Sequence, residues 1–250
     1  MTIVLRSLRM TILLCSLGMI EVLISPIVEA CPTENKGGSM SFLHSFYCWG
    51  QAFTIIVTTL LVLAFGYKDW QLIPLVWAIV PIINMFVFFK SPIIEPQKNH
   101  KSFPFLKLFK MRKFRLYMLM MLCAGAAEIA MAEWASMFVQ QALGVTKVIG
   151  DLAGPCAFAI FMASGRVWYS LVSQKIDFKK TLIVLSALCA VCYLVVAICN
   201  IALVSMIFCA LCGFTVSISW PGILSLGAKD FTEGSSVMFS VFAMCGDTGC

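Results

Sequence analysis

The sequence predicts an all-α membrane protein, a polytopic helical bundle made of two related halves. Three observations predict it. Hydrophobic residues make up 61% of the 250-residue chain and charged ones 12%, against about 45–50% and about 25% in soluble domains. The apolar residues fall in eight long, continuous stretches rather than in alternation, so helices and not a closed barrel would satisfy the backbone in lipid. Finally, a motif in the first pair of stretches returns in the last pair. Ser25-Pro26-Ile27 then Cys48-Trp49-Gly50-Gln51 is matched by Trp220-Pro221-Gly222 then Met244-Cys245-Gly246-Asp247, offset by 195 residues at the prolines and 196 at the glycines. A proline inside one span followed by a small, polar step in the next, repeated at near-constant spacing, is the pattern of a large parallel repeat, as in secondary transporters.

In chain order the predicted spans are roughly 10–29, 45–66, 70–90, 114–140, 147–173, 180–199, 202–226 and 235–250. Arg6 and Arg9 precede the first, and Val28-Glu29-Ala30 loosely fits a signal-cleavage site. Further membrane spans follow at once, so the stretch reads as a loop remnant and a genuine helix. Between the third and fourth spans, Lys90, Lys98, Lys101, Lys107, Lys110, Arg112, Lys113 and Arg115 are opposed by Glu95 alone. Such a loop is expected in the cytoplasm; nucleic-acid binding explains the cluster less well, since topology already accounts for its charge. Alternation then puts the segments near 30–42, 174–180 and 227–234 on the same side and those near 66–70, 141–147 and 200–201 outside, with Arg6 and Arg9 as the exception.

The same loop carries Pro92, Pro96 and Pro104 and separates three spans from five. The organisation expected is therefore 1–89 as the end of an N-terminal half, 90–113 as a basic cytoplasmic linker and 114–250 as a C-terminal half. If spans one and two match spans seven and eight, six spans make a repeat and the complete layout has twelve helices. This chain would then cover roughly helices 4 to 11, with the last shorter than the roughly 20 residues needed to cross.

That layout resembles the major facilitator superfamily, and particular residues carry the resemblance. Gly165-Arg166, Tyr169 and Lys175-Ile176-Asp177 look like a degenerate copy of the family's Gly-x-x-x-Asp-Arg-type signature at a cytoplasmic turn, without its acidic residue in the first turn. Glu21 with Ser25-Pro26, and His44 to Gln51, resemble helices four and five of fucose-permease-like sugar transporters. Ala126-Ala127-Glu128 through Trp134, and Gly150 to Pro155, resemble helices seven and eight of uncharacterised bacterial members. The resemblance implies a multi-pass protein of a bacterial cell membrane that moves a small polar solute by alternating access. A sugar as solute and a proton as coupling ion are the finer readings. The alternative is an inactive truncated remnant of such a transporter, or a non-transporting membrane protein.

Intramembrane ionisable groups cost about 2.5–3.5 kcal/mol each on insertion scales and are retained when paired or facing a cavity. Substrate or coupling candidates are therefore Glu21, Glu128, Glu133 and Asp247, whereas Glu29, Asp151 and Asp230 read as boundary residues. Glu128 and Glu133 stand about 140° apart on a helix, so one is expected deep and the other towards the outer side. His44, Tyr47 and Gln51 follow i, i+3, i+7 and form one polar helix face suited to a polar metabolite. Trp220 is a stacking or packing candidate, and Arg166 a gating contact to a carboxylate or helix end. Most of the twelve cysteines lie inside spans, including the pairs Cys189/Cys192 and Cys209/Cys212, and read as small apolar fillers rather than metal ligands or disulfides. No nucleotide-binding, nucleophile-elbow or zinc-protease motif occurs, so neither an enzyme nor a cofactor is expected. The expected partners are a small-molecule solute, protons and the lipid bilayer.

Overall fold

The computed structural model describes residues 22–66, 68, 71–91, 105–231 and 235–250. Every regular element among them is helical. Helix α1 (22–30) is followed by α2 (Lys36–Phe65), α3 (Leu72–Lys90) and the short α4 (Phe105–Lys110). Then come α5 (Arg112–Leu143), α6 (Lys147–Asp151), α7 (Ala157–Val172), α8 (Phe178–Ile198), α9 (Ala202–Val216), α10 (Ser219–Asp230) and α11 (Ser235–Gly249). Among the described residues, six stretches are long and apolar enough to cross a membrane: Lys36–Phe65, Leu72–Lys90, Arg112–Leu143, Lys147–Val172, Phe178–Ile198 and Ala202–Asp230. The predicted start of the first span lies outside the described residues.

Local chemistry sets the helix ends. The Asn35 side chain accepts from the Gly38 N–H at 3.0 Å and opens α2, and Asp177 does the same for α8 through Lys180 N–H at 3.0 Å. Each satisfies an orphan donor of the first turn. Gly144 stops α5 at φ 63°, a left-handed conformation that costs glycine least.

Proline breaks two of the predicted single spans internally. Pro155 has no N–H to return to the Asp151 carbonyl, and residues Leu152–Cys156 widen into a π turn between α6 and α7. Pro221 likewise leaves the Ser217 carbonyl without its helical donor, and the chain turns at residues 217–218 between α9 and α10. The span expected at 202–226 is thus two helices.

The outer faces are apolar: Leu60, Phe86, Phe89, Leu171, Ile198 and Leu203 are all exposed, as side chains solvated by lipid rather than water would be. Helix α3 buries no residue. It meets α2 where the Trp77 indole donates to Thr58 Oγ1 at 3.1 Å. Inside, α5, α10 and α11 enclose one core around Phe114, Met121, Ile223 and Phe242, while α5, α7, α8 and α9 enclose another around Phe158, Met162, Cys209 and Cys212. The buried cysteines sit in these cores as compact fillers; the Cys189 and Cys212 sulfurs approach to 3.8 Å without bonding.

Where α7 meets α9, a Cβ at Gly213 would stand 2.3 Å from the Phe158 carbonyl oxygen. Backbone contact of this kind drives helix association in lipid. Gly213→Val should therefore push the two helices apart and cost about 1–3 kcal/mol, read as a lower thermal midpoint in detergent. An unchanged midpoint would refute this close packing.

Candidate functional site

The polar residues concentrate between α2 and α7. Arg166, three-fifths of the way along α7, is only 2% exposed. Its Nε donates to the Ser217 carbonyl at 2.9 Å, one terminal nitrogen to the His44 carbonyl at 2.8 Å and the other to Glu128 Oε2 at 3.0 Å. The Ser217 carbonyl is the one released by Pro221, so a backbone defect in one helix becomes an acceptor for a charge on another. Tyr47 places its ring centroid 5.9 Å from the guanidinium carbon, within cation–π range. Ser41 Oγ donates to the Arg166 carbonyl at 2.8 Å, and His44 Nε2 shares a 3.3 Å hydrogen bond with Ser25 Oγ of α1.

One helical turn or more nearer the ends of these helices, the contact continues. Asn35 Nδ2 donates to the Ser170 carbonyl at 3.4 Å, and Ser173 Oγ donates to Asn35 Oδ1 at 2.9 Å. From residue 35 to residue 44, roughly 14 Å of helix rise, α2 is hydrogen-bonded to α7. This is the end that also carries Lys90 and Arg112, and is called here the basic end.

Beyond this clasp α2 stays packed on the π turn and α7 through Ala52, Cys156 and Ala159, and it stands apart from α5 and α6. A cavity of about 760 Å³ is lined by Tyr47, Gln51, Thr54, Thr58, Glu133 and Asp151, among others. Asp151 sits at the rim with a dedicated network: Ser136 Oγ donates to its Oδ1, and Lys147 Nζ lies 3.0 Å from each of its oxygens. Gln51 Oε1 is buried and has no hydrogen-bond partner.

Several expectations meet this geometry directly. Glu128 is 7% exposed and paired, whereas Glu133 is exposed and faces the cavity. Tyr47 and Gln51 share a cavity; His44 instead contributes its carbonyl to Arg166. Three readings, those of Arg166, Asp151 and Asp247, are corrected, and for Trp220 the packing alternative holds. Arg166 does not lie at the turn between spans: it is inside α7, six residues before Val172, and the turn is made by 173–177. Asp151 is no mere boundary residue, because the π turn at Pro155 carries it onto the cavity wall. Trp220 is buried, with its ring where a Cβ on Gly246 would fall, at 2.2 Å, so the two ends of the second motif pack on each other. Asp247 is exposed on α11, without a hydrogen-bond or ion-pair partner among the described residues, and does not line the cavity. Glu21 lies outside the described residues. Ser25 entered the sequence reading only as part of the Ser25-Pro26 motif; Ser41 and the Ser217 carbonyl escaped it, and only Pro221, four residues after Ser217, signalled the latter.

The sequence matches the Major Facilitator Superfamily over residues 9–250. The chain belongs to that superfamily. It is a family of membrane transporters and not of enzymes. Among solved structures, the fold is similar to that of the Escherichia coli fucose:proton symporter, with a TM-score of 0.71 at 17% sequence identity. The similarity covers 93% of this chain and 64% of that one, so this major facilitator chain spans a little under two thirds of the symporter's length. No curated protein matches the sequence.

Proposed function

We propose that this chain forms the greater part of a secondary active transporter that moves a small polar solute by alternating access, driven by protons. The observation carrying the reading is that α2 is latched to α7, in the other predicted half, at the basic end through Arg166, while beyond the latch a polar cavity lies between α2 and the α5–α6 side of that half. An alternating-access cycle needs such a pairing: one closed gate and one accessible site. With the basic end in the cytoplasm, the conformation described is open outward. A sugar fits the hydroxyl- and amide-lined wall of α2, and the fold's likeness to a fucose:proton symporter supports that choice.

Glu128 is the coupling group in this reading, and Arg166 the gate. The titratable and charged groups recorded against Glu128 are Arg166 of α7 and Cys48 of α2. Ionised Glu128 holds the Arg166 guanidinium in place. Protonated Glu128 keeps an acceptor oxygen but loses its charge, so its hold on Arg166 weakens while Arg166 keeps the His44 and Ser217 carbonyls as partners and the latch loosens. A proton taken up from one side thereby favours opening of the other.

Proteoliposomes test this. In Glu128→Gln, accumulation driven by a pH gradient should fall to the level of passive equilibration, while solute counterflow stays within about twofold of the parent. Retention of gradient-driven accumulation would remove Glu128 from the coupling step and make Glu21 the next residue to neutralise. Absence of counterflow in the parent chain itself would favour the remnant reading.

A further inference from the structure

The charges around the cavity do not cancel. Asp151 is neutralised by Lys147, and the Arg166 cation is withdrawn from it, 2% exposed, with all three of its nitrogens donating to protein oxygens. Glu133 is different. It lines the cavity, is exposed, and has no ion-pair or hydrogen-bond partner among the described residues. It is the uncompensated formal charge of that wall.

The neutral polar groups lean the same way. Gln51 lines the same wall, a neutral amide that brings no positive charge, with its Oε1 buried and unpartnered among the described residues. In the cavity between them are hydroxyls of Thr54, Thr58 and Thr59, which accept as readily as they donate, and the rings of Phe46 and Tyr47. An aromatic face also favours a cation. Among the described residues, no accessible cation of the lining is left to receive an anion.

Resting on the transporter reading above, we propose that this cavity selects a positively charged, amine-bearing polar solute, with Glu133 as the charge-selecting residue and Gln51 as an acceptor for its N–H groups. A neutral polyol is bound less well, and an acidic solute is repelled.

Three probes of one size separate these classes: a 2-amino-2-deoxyhexose, the matching hexose and the matching uronate. Each is titrated by equilibrium dialysis against the whole chain in nanodiscs of zwitterionic lipid at low salt. The amino sugar should bind about tenfold more tightly than the hexose, and the uronate more weakly than either. Glu133→Gln, a substitution at an exposed position, should bring amino sugar and hexose to within about twofold of each other by weakening only the former. The inference is overturned if the hexose or uronate binds as tightly as the amino sugar, if Glu133→Gln keeps the preference, or if no probe binds. Amino-sugar binding without counterflow would instead remove the transport reading and leave the charge selection standing.

Discussion

Arg166→Met should destabilise the protein by about 3–5 kcal/mol, the cost of leaving one partner of a buried ion pair uncompensated. Three losses coincide. Glu128 is stranded as a buried carboxylate, and the Ser217 and His44 carbonyls lose their side-chain donor. The reverse deletion is milder, because in Glu128→Gln the guanidinium keeps both carbonyls and gains an amide oxygen. The double variant should be more stable than Arg166→Met alone, since methionine then faces a neutral amide. Unfolding of the four proteins in the same detergent measures this. Equal losses for the two single variants would show that the pair, and not its backbone partners, dominates.

A disulfide between residues 35 and 173 should abolish transport. Asn35 and Ser173 already touch across the basic end, at 2.9 Å between side-chain oxygens. Asn35→Cys with Ser173→Cys, oxidised, would fix α2 to α7 where alternating access requires them to separate. Uptake should fall by more than about 90% and return on reduction, as expected when a site cannot open to the second side. Binding from the opposite end should persist. Asn35 also caps α2, and loss of the cap costs about 1 kcal/mol, so the Asn35→Cys single variant is the reference. Full uptake by the cross-linked protein would show that the basic end is not a gate.

The membrane spans were readable in the sequence because apolar length alone sets them, as for Leu72–Lys90 or Phe178–Ile198. The place of each charge was less readable. In a helix such as α5 nearly every face is apolar, so periodicity does not say which way Glu128 points. Glu128 and Arg166 are 38 residues apart, and their meeting depends on how α5 and α7 rotate against each other. The five-residue spacing of Glu128 and Glu133 was informative because it concerns one helix: the two had to face different surroundings, and they do. Asp151 was misread because hydropathy counts distance from a span's end and does not register that a proline-induced wide turn swings the preceding side chains around. The family was legible for another reason, since the basic central loop and the recurrent proline are matters of order and count rather than rotation.

Two of the three oxygens that grip Arg166 are main-chain atoms. The side chains of positions 44 and 217 do not themselves grip Arg166, so substitutions there act on it only through packing, as where Ser217 sits buried against Gly165. The position that frees the Ser217 carbonyl is 221, which gives Arg166 no hydrogen bond of its own. There only proline withholds an amide from Ser217, and any other residue would offer the carbonyl a rival donor from its own helix. The genetic determinant of this contact therefore lies outside it, at a residue that acts by lacking a hydrogen.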